Sequence, residues 1–297
     1  MIAPEISVIV TTFQRPHLLP RAVSSVMRQE GVSFEVVVVD DNAPADHAAT
    51  RKALAPWIDD ERLRLIVPPA PTGACARSRN VGLDAARGQW IAFLDDDDAY
   101  EPDKLRAQWA CARETGSPVV LGGLTYRLRW RQRARQIETD RFAGDDFLLR
   151  VVPSVIGLLY RADPALRFNV RFDAAEDLEF LISVTDFYRL DAVPNVPRAL
   201  ASVYPQAKGG RVNTRWSELW PALRWIWWHR TARFSPRARR IFVLRQRLQR
   251  TLETKVAWRH YGRNARRLLA AGGRAELRLV INIGLRRTRW WRDSMVS

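Results

Sequence analysis

Cysteine and histidine are scarce in this sequence of 297 residues, which contains two cysteines and four histidines. Cys75 and Cys111 do not form a motif, so we interpret each as a small buried hydrophobic residue in a reduced compartment. No zinc-binding pattern of clustered cysteine and histidine is present. A disulfide scaffold and a zinc-finger protein are thereby excluded.

Long uncharged runs are also missing. No stretch of about 20 residues lacks charged side chains, so no transmembrane helix is predicted. The first residues show no basic segment and no cleavage site, and we expect no secretory signal and a cytoplasmic protein. With 47% hydrophobic residues, the chain can form one large α/β domain, alone or with a smaller appendage.

Acidic residues are rare in the last third of the chain. From Gln206 to Ser297 there are 4 aspartates and glutamates against 23 lysines and arginines, together with eight of the twelve tryptophans. Residues 1–205 carry 25 basic and 28 acidic residues. We therefore predict a domain at 1–205 and a basic, tryptophan-rich helical region at 206–297, with the boundary near Lys208–Arg211. Basic segments of this kind usually contact polyanions.

Strand and helix patterns alternate through the first 125 residues, which predicts a doubly wound, mostly parallel sheet with flanking helices. Such sheets bind ligands at the carboxyl ends of their strands. The predicted strands are 6–12, 34–40, 64–67, 89–94 and 119–121, and the helices are 17–29, 76–86 and one opened by Pro102.

The pattern loosens after Tyr126, where Arg127–Arg135 fits a hairpin or a loop. Further on, we predict helices at 145–151 and 177–188 and strands at 155–160 and 199–204. In the basic region the predicted helices are 214–230, 236–267 and 274–287.

Three acidic clusters lie where this fold places ligands. Carboxylates packed at strand ends repel one another, and a divalent cation removes that repulsion. Oxygen-only ligands in a short loop suit Mg²⁺ or Mn²⁺, with diphosphate oxygens completing the shell. The alternative is a solvated acidic turn without a metal. The clusters are Asp40-Asp41-Asn42, Asp95-Asp96-Asp97-Asp98 and Glu176-Asp177.

Five blocks in order resemble glycosyltransferase family 2, over roughly residues 4–204. The blocks are Ser7–Phe13, Val36–Asn42, Ala76–Asn80, Trp90–Asp98 and Glu176-Asp177. The resemblance implies the GT-A fold and an inverting, hexosyltransferase type of enzyme. Such an enzyme moves a sugar from a nucleotide-diphosphate sugar, with a UDP-sugar favoured, onto an acceptor hydroxyl.

The resemblance also assigns donor-binding residues. Thr11 and Phe13 would line the nucleobase pocket, and Asp41 would hydrogen-bond the base edge. Arg79 could face the donor.

In the aspartate run, the resemblance favours Asp97 as the direct metal ligand for Mn²⁺ or Mg²⁺. It places Asp95 or Asp96 near the ribose. Four consecutive aspartates allow two registers of the motif. Other family members lack metal dependence, so the motif leaves the need for a metal open.

Asp177 is implied as the catalytic base, which would take the proton of the acceptor hydroxyl. The alternative is that Asp177 only caps the helix that begins there, and both roles are compatible.

The tail suggests a second task. Segments 214–230 and 286–292 combine tryptophan, which favours the head-group region, with arginine, which favours anionic lipid. We expect peripheral attachment to the inner face of a membrane, where a glycan or lipid-linked glycan acceptor would be presented. The alternative is an ordinary helical subdomain whose tryptophans pack inside. Synthesis of a bacterial surface polysaccharide or lipopolysaccharide fits such an enzyme.

Three other functions compete with this interpretation. Nucleic-acid binding fits the tail but leaves the acidic strand ends unexplained, so no nucleic acid is expected. A sugar-phosphate nucleotidyltransferase would need a glycine-rich loop where this chain has Thr11–Arg15. A catalytically inactive scaffold is disfavoured by the intact acidic clusters.

Overall fold

In the computed structural model the chain packs as two compact units, the first formed by residues 1–143 and 152–213 and the second by 144–151 and 214–297. The structure describes residues 3–128, 131–135, 139–149, 154–172, 174–204, 216–253, 258–271 and 280. The domain division predicted after residue 205 stays a proposal, because residues 205–215 lie outside the described part. So do the segment 286–292 and, apart from Val280, the predicted helix at 274–287.

The first unit contains a ten-stranded sheet with helices packed around it. The strands are β1 (Ile6–Thr12), β2 (Phe34–Asp40), β3 (Leu63–Ile66), β4 (Trp90–Asp95), β5 (Ala99–Tyr100), β6 (Val119–Leu128), β7 (Arg131–Arg135), β8 (Arg141–Ala143), β9 (Leu158–Arg161) and β10 (Ala192–Val203). The helices of the chain are α1 (Leu19–Met27), α2 (His47–Leu54), α3 (Cys75–Ala85), α4 (Lys104–Thr115), α5 (Asp146–Leu149), α6 (Glu176–Phe187), α7 (Trp216–Arg230), α8 (Pro236–Glu253) and α9 (Trp258–Ala271).

The strand order is β3-β2-β1-β4-β9-β6-β10-β5, with β7 added on β6 and β8 on β10. Strands β3, β2, β1 and β4 are parallel, whereas β9 runs antiparallel between β4 and β6. The predicted α/β fold class is confirmed. The sheet is mixed, because strands β5, β7, β8 and β9 each pair antiparallel with their neighbours.

Two neighbouring strands of the parallel part of the sheet, β1 and β2, are buried on both faces. Strand β2 is buried along its whole length, and β1 is buried except at Thr11. Both are dominated by valine and isoleucine, whose branched side chains favour extended backbone. In their parallel register Thr12 faces Asp40, and Thr11 faces Asp95 of β4. The carboxyl ends of three neighbouring strands therefore meet at one edge.

Helix α3 lies unusually close to this sheet because of Gly82. A Cβ atom at that position would lie 2.3 Å from Cγ2 of Ile9. Glycine is the residue that permits such an approach. Because Arg79 lies one turn earlier on the same helix, this packing fixes the distance of its backbone from the strand ends.

An aromatic cluster packs helix α6 against strand β4. Phe168 and Phe180 stack with their ring centroids 3.9 Å apart, and both meet the ring of Phe93 edge to face. Phe180 belongs to α6 and is fully buried. Offset and edge-to-face aromatic pairs add about 0.5–1.5 kcal/mol beyond their buried area. The cluster thus anchors the helix that carries Glu176 and Asp177.

Lys104 is fully buried at the start of α4. Its Nζ atom donates a hydrogen bond to Oε1 of Gln108 at 2.6 Å and lies 4.2 Å from the ring centre of Tyr100. Burial lowers the pKa of Lys104 from its ordinary value of 10.5 to about 7. Between these two pH values the unfolded chain binds a proton that the folded chain lacks. The free energy of unfolding should therefore rise with pH over this interval.

This pH dependence can be measured by comparison with a Lys104→Met variant. Between pH 7 and pH 9 the free energy of unfolding of the wild type should rise by about 2 kcal/mol relative to the variant. Urea unfolding at both pH values gives this difference. Loss of the hydrogen bond to Gln108 shifts the variant equally at both pH values. Equal changes in the two proteins would show that Lys104 titrates normally.

The second unit is helical. Helix α8 begins after Ser235, whose Oγ atom accepts a hydrogen bond from the backbone N–H of Ala238 at 3.2 Å. The carboxylate of Asp145 in turn accepts from the N–H of Ser235 at 2.8 Å. Helix α8 packs against α5, α7 and α9. Within the described residues, none of the helices is both long and apolar enough to cross a bilayer.

Some elements differ from the predictions. The single helix predicted at 236–267 is wrong, since α8 and α9 are separate helices that pack on each other. Residues 155–157 form a short 3-10 helix before β9. Strand β10 begins at Ala192, well before the predicted 199. The hairpin alternative for 127–135 is confirmed by the β6–β7 pairing. Helix α2 is absent from the predicted elements.

Candidate active site

The four aspartates that follow β4 point in different directions. Asp96 is fully buried and accepts a hydrogen bond from Oγ1 of Thr12 at 2.8 Å. Its other oxygen lies 2.6 Å from a guanidinium nitrogen of Arg15. Burial raises the pKa of Asp96 to about 7, although Arg15 opposes that shift. Asp96 thus fastens the loop after β4 to the end of β1.

Asp95, Asp97 and Asp98 converge instead. One carboxylate oxygen from each lies within 4.8 Å of the others. Asp97 also contacts Arg15 at 2.7 Å, and Asp98 accepts a hydrogen bond from the N–H of Tyr204 at 2.9 Å. Burial, followed by the charge of Asp95, raises the pKa of Asp98 to about 8. Three hard oxygen donors at this spacing fit Mg²⁺ or Mn²⁺.

Arg79 connects this cluster to helix α6. The residue is 3% exposed, and its two terminal nitrogens reach three carboxylates. One nitrogen lies 3.0 Å from Asp95, and the other lies 2.6 Å from Asp177 and 3.4 Å from Glu176. Burial alone would lower the pKa of Arg79, but these acids raise it above its ordinary value. One guanidinium therefore brings the predicted base and the aspartate run into a single site.

Asp177 is held from both sides. Its Oδ1 atom accepts from Arg79, and its Oδ2 atom accepts from the hydroxyl of Ser154 at 2.6 Å. Among the described side chains none caps the start of α6. The cap alternative for Asp177 therefore gains no support. Next to it, burial and the charge of Asp177 raise the pKa of Glu176 to about 7.

Asp41 lies elsewhere on the same edge and is almost completely buried. Its carboxylate accepts hydrogen bonds from the N–H and hydroxyl of Thr72, at 2.5 and 2.9 Å, and from the hydroxyl of Ser78 at 2.8 Å. These bonds tie the loop before α3 to the end of β2. Its predicted contact with a nucleobase remains a prediction.

The other predicted pocket residues flank this region. Thr11 places its hydroxyl 3.9 Å from Sγ of Cys75, and Phe13 is half-buried just after β1. Burial raises the pKa of the Cys75 thiol to about 12, so this cysteine is a neutral hydrophobic neighbour of the site. The structure leaves the assigned roles of both residues as predictions.

Sequence reasoning missed Arg15 and Ser154. Arg15 lies three residues after the end of β1, so a basic residue near the run of aspartates was a usable signal. Ser154 lies in a loop with no periodic pattern, and nothing in the sequence indicates that it meets Asp177. Arg15 and Arg79 together form ion pairs with five carboxylates of the site: Asp95, Asp96, Asp97, Glu176 and Asp177.

Comparison with known protein families identifies the family to which the chain belongs. The sequence profile described as "Glycosyl transferase family 2" matches residues 7–157, about half of the chain. The chain belongs to glycosyltransferase family 2. The resemblance of this glycosyltransferase to the family, inferred from its five sequence blocks, is therefore confirmed.

Curated relatives of the glycosyltransferase act in bacterial polysaccharide synthesis. It is 39% identical to the succinoglycan biosynthesis protein ExoO of Rhizobium meliloti over 41% of this chain and 33% of the relative. It is 33% identical to the UDP-Glc:alpha-D-GlcNAc-diphosphoundecaprenol beta-1,3-glucosyltransferase WfgD of Escherichia coli, over 35% of this chain and 39% of the relative. The aligned segments thus span little more than a third of these relatives.

A solved structure resembles the glycosyltransferase over nearly its whole length. The crystal structure of residues 1–349 of S. aureus TarS in complex with UDP-GlcNAc superimposes with a TM-score of 0.68. The match covers 95% of this chain and 88% of that chain, at 18% identity. The predicted GT-A fold is confirmed.

Proposed function

We propose that this enzyme transfers a sugar from a nucleotide-diphosphate sugar, most favourably a UDP-sugar, to an acceptor hydroxyl with inversion at the anomeric carbon. The observation that carries the proposal is the Arg79 guanidinium, which contacts both Asp95 of the aspartate run and Asp177. A base and a diphosphate-binding cluster within reach of one side chain fit a single-displacement transfer.

In this proposal Asp177 acts as the general base. Its carboxylate takes the proton of the acceptor hydroxyl while the acceptor oxygen forms a bond to the anomeric carbon. The bond between that carbon and the diphosphate oxygen breaks on the opposite face, and the nucleoside diphosphate leaves with the electron pair. Arg79 and Ser154 hold the carboxylate in place for this step.

A divalent cation, Mn²⁺ or Mg²⁺, would be held by Asp95, Asp97 and Asp98. These carboxylates repel one another, and burial raises the pKa values of Asp95 and Asp98, so a bound cation would relieve the electrostatic cost of bringing them together. When bound, such a cation neutralises negative charge on the departing diphosphate. Within this set, Asp97 remains our first choice as direct ligand. Of the two aspartates predicted towards the ribose, we retain Asp95, because Asp96 is fully buried against Thr12 and Arg15.

The donor and acceptor follow from the named relatives. TarS was crystallised in complex with UDP-GlcNAc, and the name of WfgD includes UDP-Glc and a diphosphoundecaprenol acceptor. We infer a UDP-sugar donor and a lipid-linked glycan acceptor in surface polysaccharide synthesis. An enzyme with such an acceptor works beside a membrane, and Trp228 of the basic region is 69% exposed. We therefore keep peripheral attachment to the inner face of the cytoplasmic membrane as part of the proposal.

Nucleotide and metal dependence can be tested together by thermal unfolding. UDP with Mn²⁺ or Mg²⁺ should stabilise the folded chain, whereas GDP, dTDP and CMP should not. A ligand at a hundred times its Kd adds about 2.7 kcal/mol to the free energy of unfolding. The midpoint Tm should therefore rise by several degrees, and the rise should disappear when the metal is chelated.

A matched pair of variants assigns the effect to the site. Asp97→Asn should abolish the metal-dependent rise in Tm. Asp46→Asn, the same change at an exposed position, should leave it intact. Stabilisation by UDP that is equal with and without metal would remove the cation from the proposal. Failure of every nucleotide would count against a nucleotide-sugar donor.

A further inference from the structure

The second unit contains two adjoining grooves between its helices. The larger has a volume of about 510 Å³ and the smaller about 170 Å³. Trp227, Val243 and Arg247 line both, so we treat them as one feature, the tryptophan–arginine groove. Its floor is apolar, with Leu223 and Phe242 in the smaller part and Leu244 in the larger. The groove lies outside the residues that form the active site.

Positive charge surrounds this apolar floor. The arginines that line the groove are Arg224, Arg239, Arg240, Arg247 and Arg267. Among the described residues, no carboxylate lines either part and none of these arginines forms an ion pair. The guanidinium of Arg239 lies 4.9 Å from the ring centre of Trp227, and its buried Nε atom has no hydrogen-bond partner within the described structure.

Unneutralised arginines around an apolar floor are complementary to an anionic amphiphile. Arginine binds phosphate oxygens through paired N–H groups, and tryptophan accepts apolar chains while tolerating a polar boundary. We propose that the tryptophan–arginine groove binds a lipid diphosphate, with the diphosphate among the arginines and the first isoprenoid units on the apolar floor. The inference deepens the proposed function and rests on it, since it names the carrier lipid as the part of the acceptor that the second unit recognises.

The volume of the larger part, about 510 Å³, fits a single bound ligand. Small-molecule sites are concave, mostly apolar and about 300–1,000 Å³ in volume, with a few polar groups that fix orientation. A helix that lies on a membrane instead presents its apolar face outward. Trp227 is half-buried and faces the groove together with Val243, which is the arrangement of a ligand site.

Farnesyl diphosphate is a soluble probe for this site. Titration into the full-length enzyme with saturating UDP and Mg²⁺, so that the active site is filled, should give saturable binding by calorimetry. Inorganic diphosphate and farnesol each lack half of the proposed ligand, and each should bind at least tenfold more weakly. If inorganic diphosphate binds as tightly as farnesyl diphosphate, the groove is an anion site and the proposal fails.

Paired variants separate the groove from general positive charge. The double variant Arg240→Gln/Arg247→Gln should raise the Kd for farnesyl diphosphate at least tenfold. The control Arg263→Gln/Arg266→Gln removes two exposed arginines of α9 that do not line the groove, and it should change Kd less than twofold. Equal weakening in both double variants would overturn the proposal.

The two proposals fail separately. If UDP with metal still stabilises the double variant Arg240→Gln/Arg247→Gln, the donor site is intact although lipid binding is lost. A decanucleotide of thymidine, added as a competitor, tests whether the groove binds single-stranded nucleic acid instead. The assignment would also be overturned if this oligonucleotide displaced labelled farnesyl diphosphate at a lower concentration than unlabelled farnesyl diphosphate does.

Discussion

Asp177→Asn is expected to lower the rate of sugar transfer by about 10²–10⁴-fold, the usual contribution of a positioned general base. The asparagine amide cannot take the proton of the acceptor hydroxyl. Its amide oxygen can still accept from Arg79, and its NH2 group can donate to the hydroxyl oxygen of Ser154, so the fold of the site should be preserved. UDP binding, measured by calorimetry, should stay within a few-fold of the wild type. The loss should appear in kcat.

This substitution also separates the two roles considered for Asp177. Asparagine is as good a helix N-cap as aspartate, so a residue that only caps α6 would tolerate the change. Asp191→Asn removes the same charge from an exposed position just after α6 and should transfer sugar at the wild-type rate. A variant Asp177→Asn that keeps most of its transfer rate would reject Asp177 as the base.

The second large effect is expected from Arg79→Gln. Arg79 is buried and neutralises Asp95, Glu176 and Asp177. Removal of one partner from a buried ion pair costs about 3–5 kcal/mol, because the remaining charges stay desolvated. We expect a loss of this size in the free energy of unfolding from urea titrations, together with loss of sugar transfer.

Arg167→Gln is the matched control for this prediction. Arg167 forms two contacts with Asp84, at 2.6 and 2.8 Å, but Asp84 is 66% exposed at its side chain. Exposed pairs of this kind contribute about 0–1 kcal/mol. If the two variants lose similar stability, Arg79 is not the residue that neutralises the acidic site.

The sequence predicts strands β1 and β2 well because both are rich in β-branched residues. The strands predicted at 6–12 and 34–40 have the bounds of β1 and β2. Elements formed by tertiary contacts could not be predicted in this way. Strand β10 contains Pro194 and Pro197, which argue against a long strand, yet pairing with β6 and β8 extends it to Ala192.

The predicted site residues come together because they follow parallel strands or begin helices at one edge of the sheet. Asp95 and Asp177 are separated by 82 positions along the chain, yet both contact Arg79. The orientation of each aspartate in the run was not predictable. Asp96 faces Arg15 and Thr12, whereas Asp97 and Asp98 face the cluster with Asp95. That difference depends on the backbone turn after β4. Four identical residues do not specify by themselves which side chain faces which neighbour.

The position of β1 between β2 and β4 has a consequence for biosynthesis. Residues Ile6–Thr11 pair with Trp90–Asp95, so β1 gains its second neighbour only after 95 residues have been made. Pairing between such distant segments folds slowly, and an unpaired strand edge invites association with other chains. A nascent chain that has not yet exposed β4 thus carries an apolar, half-paired strand. We therefore expect the first third of this enzyme to need the protection of the ribosome and chaperones against aggregation until β4 emerges.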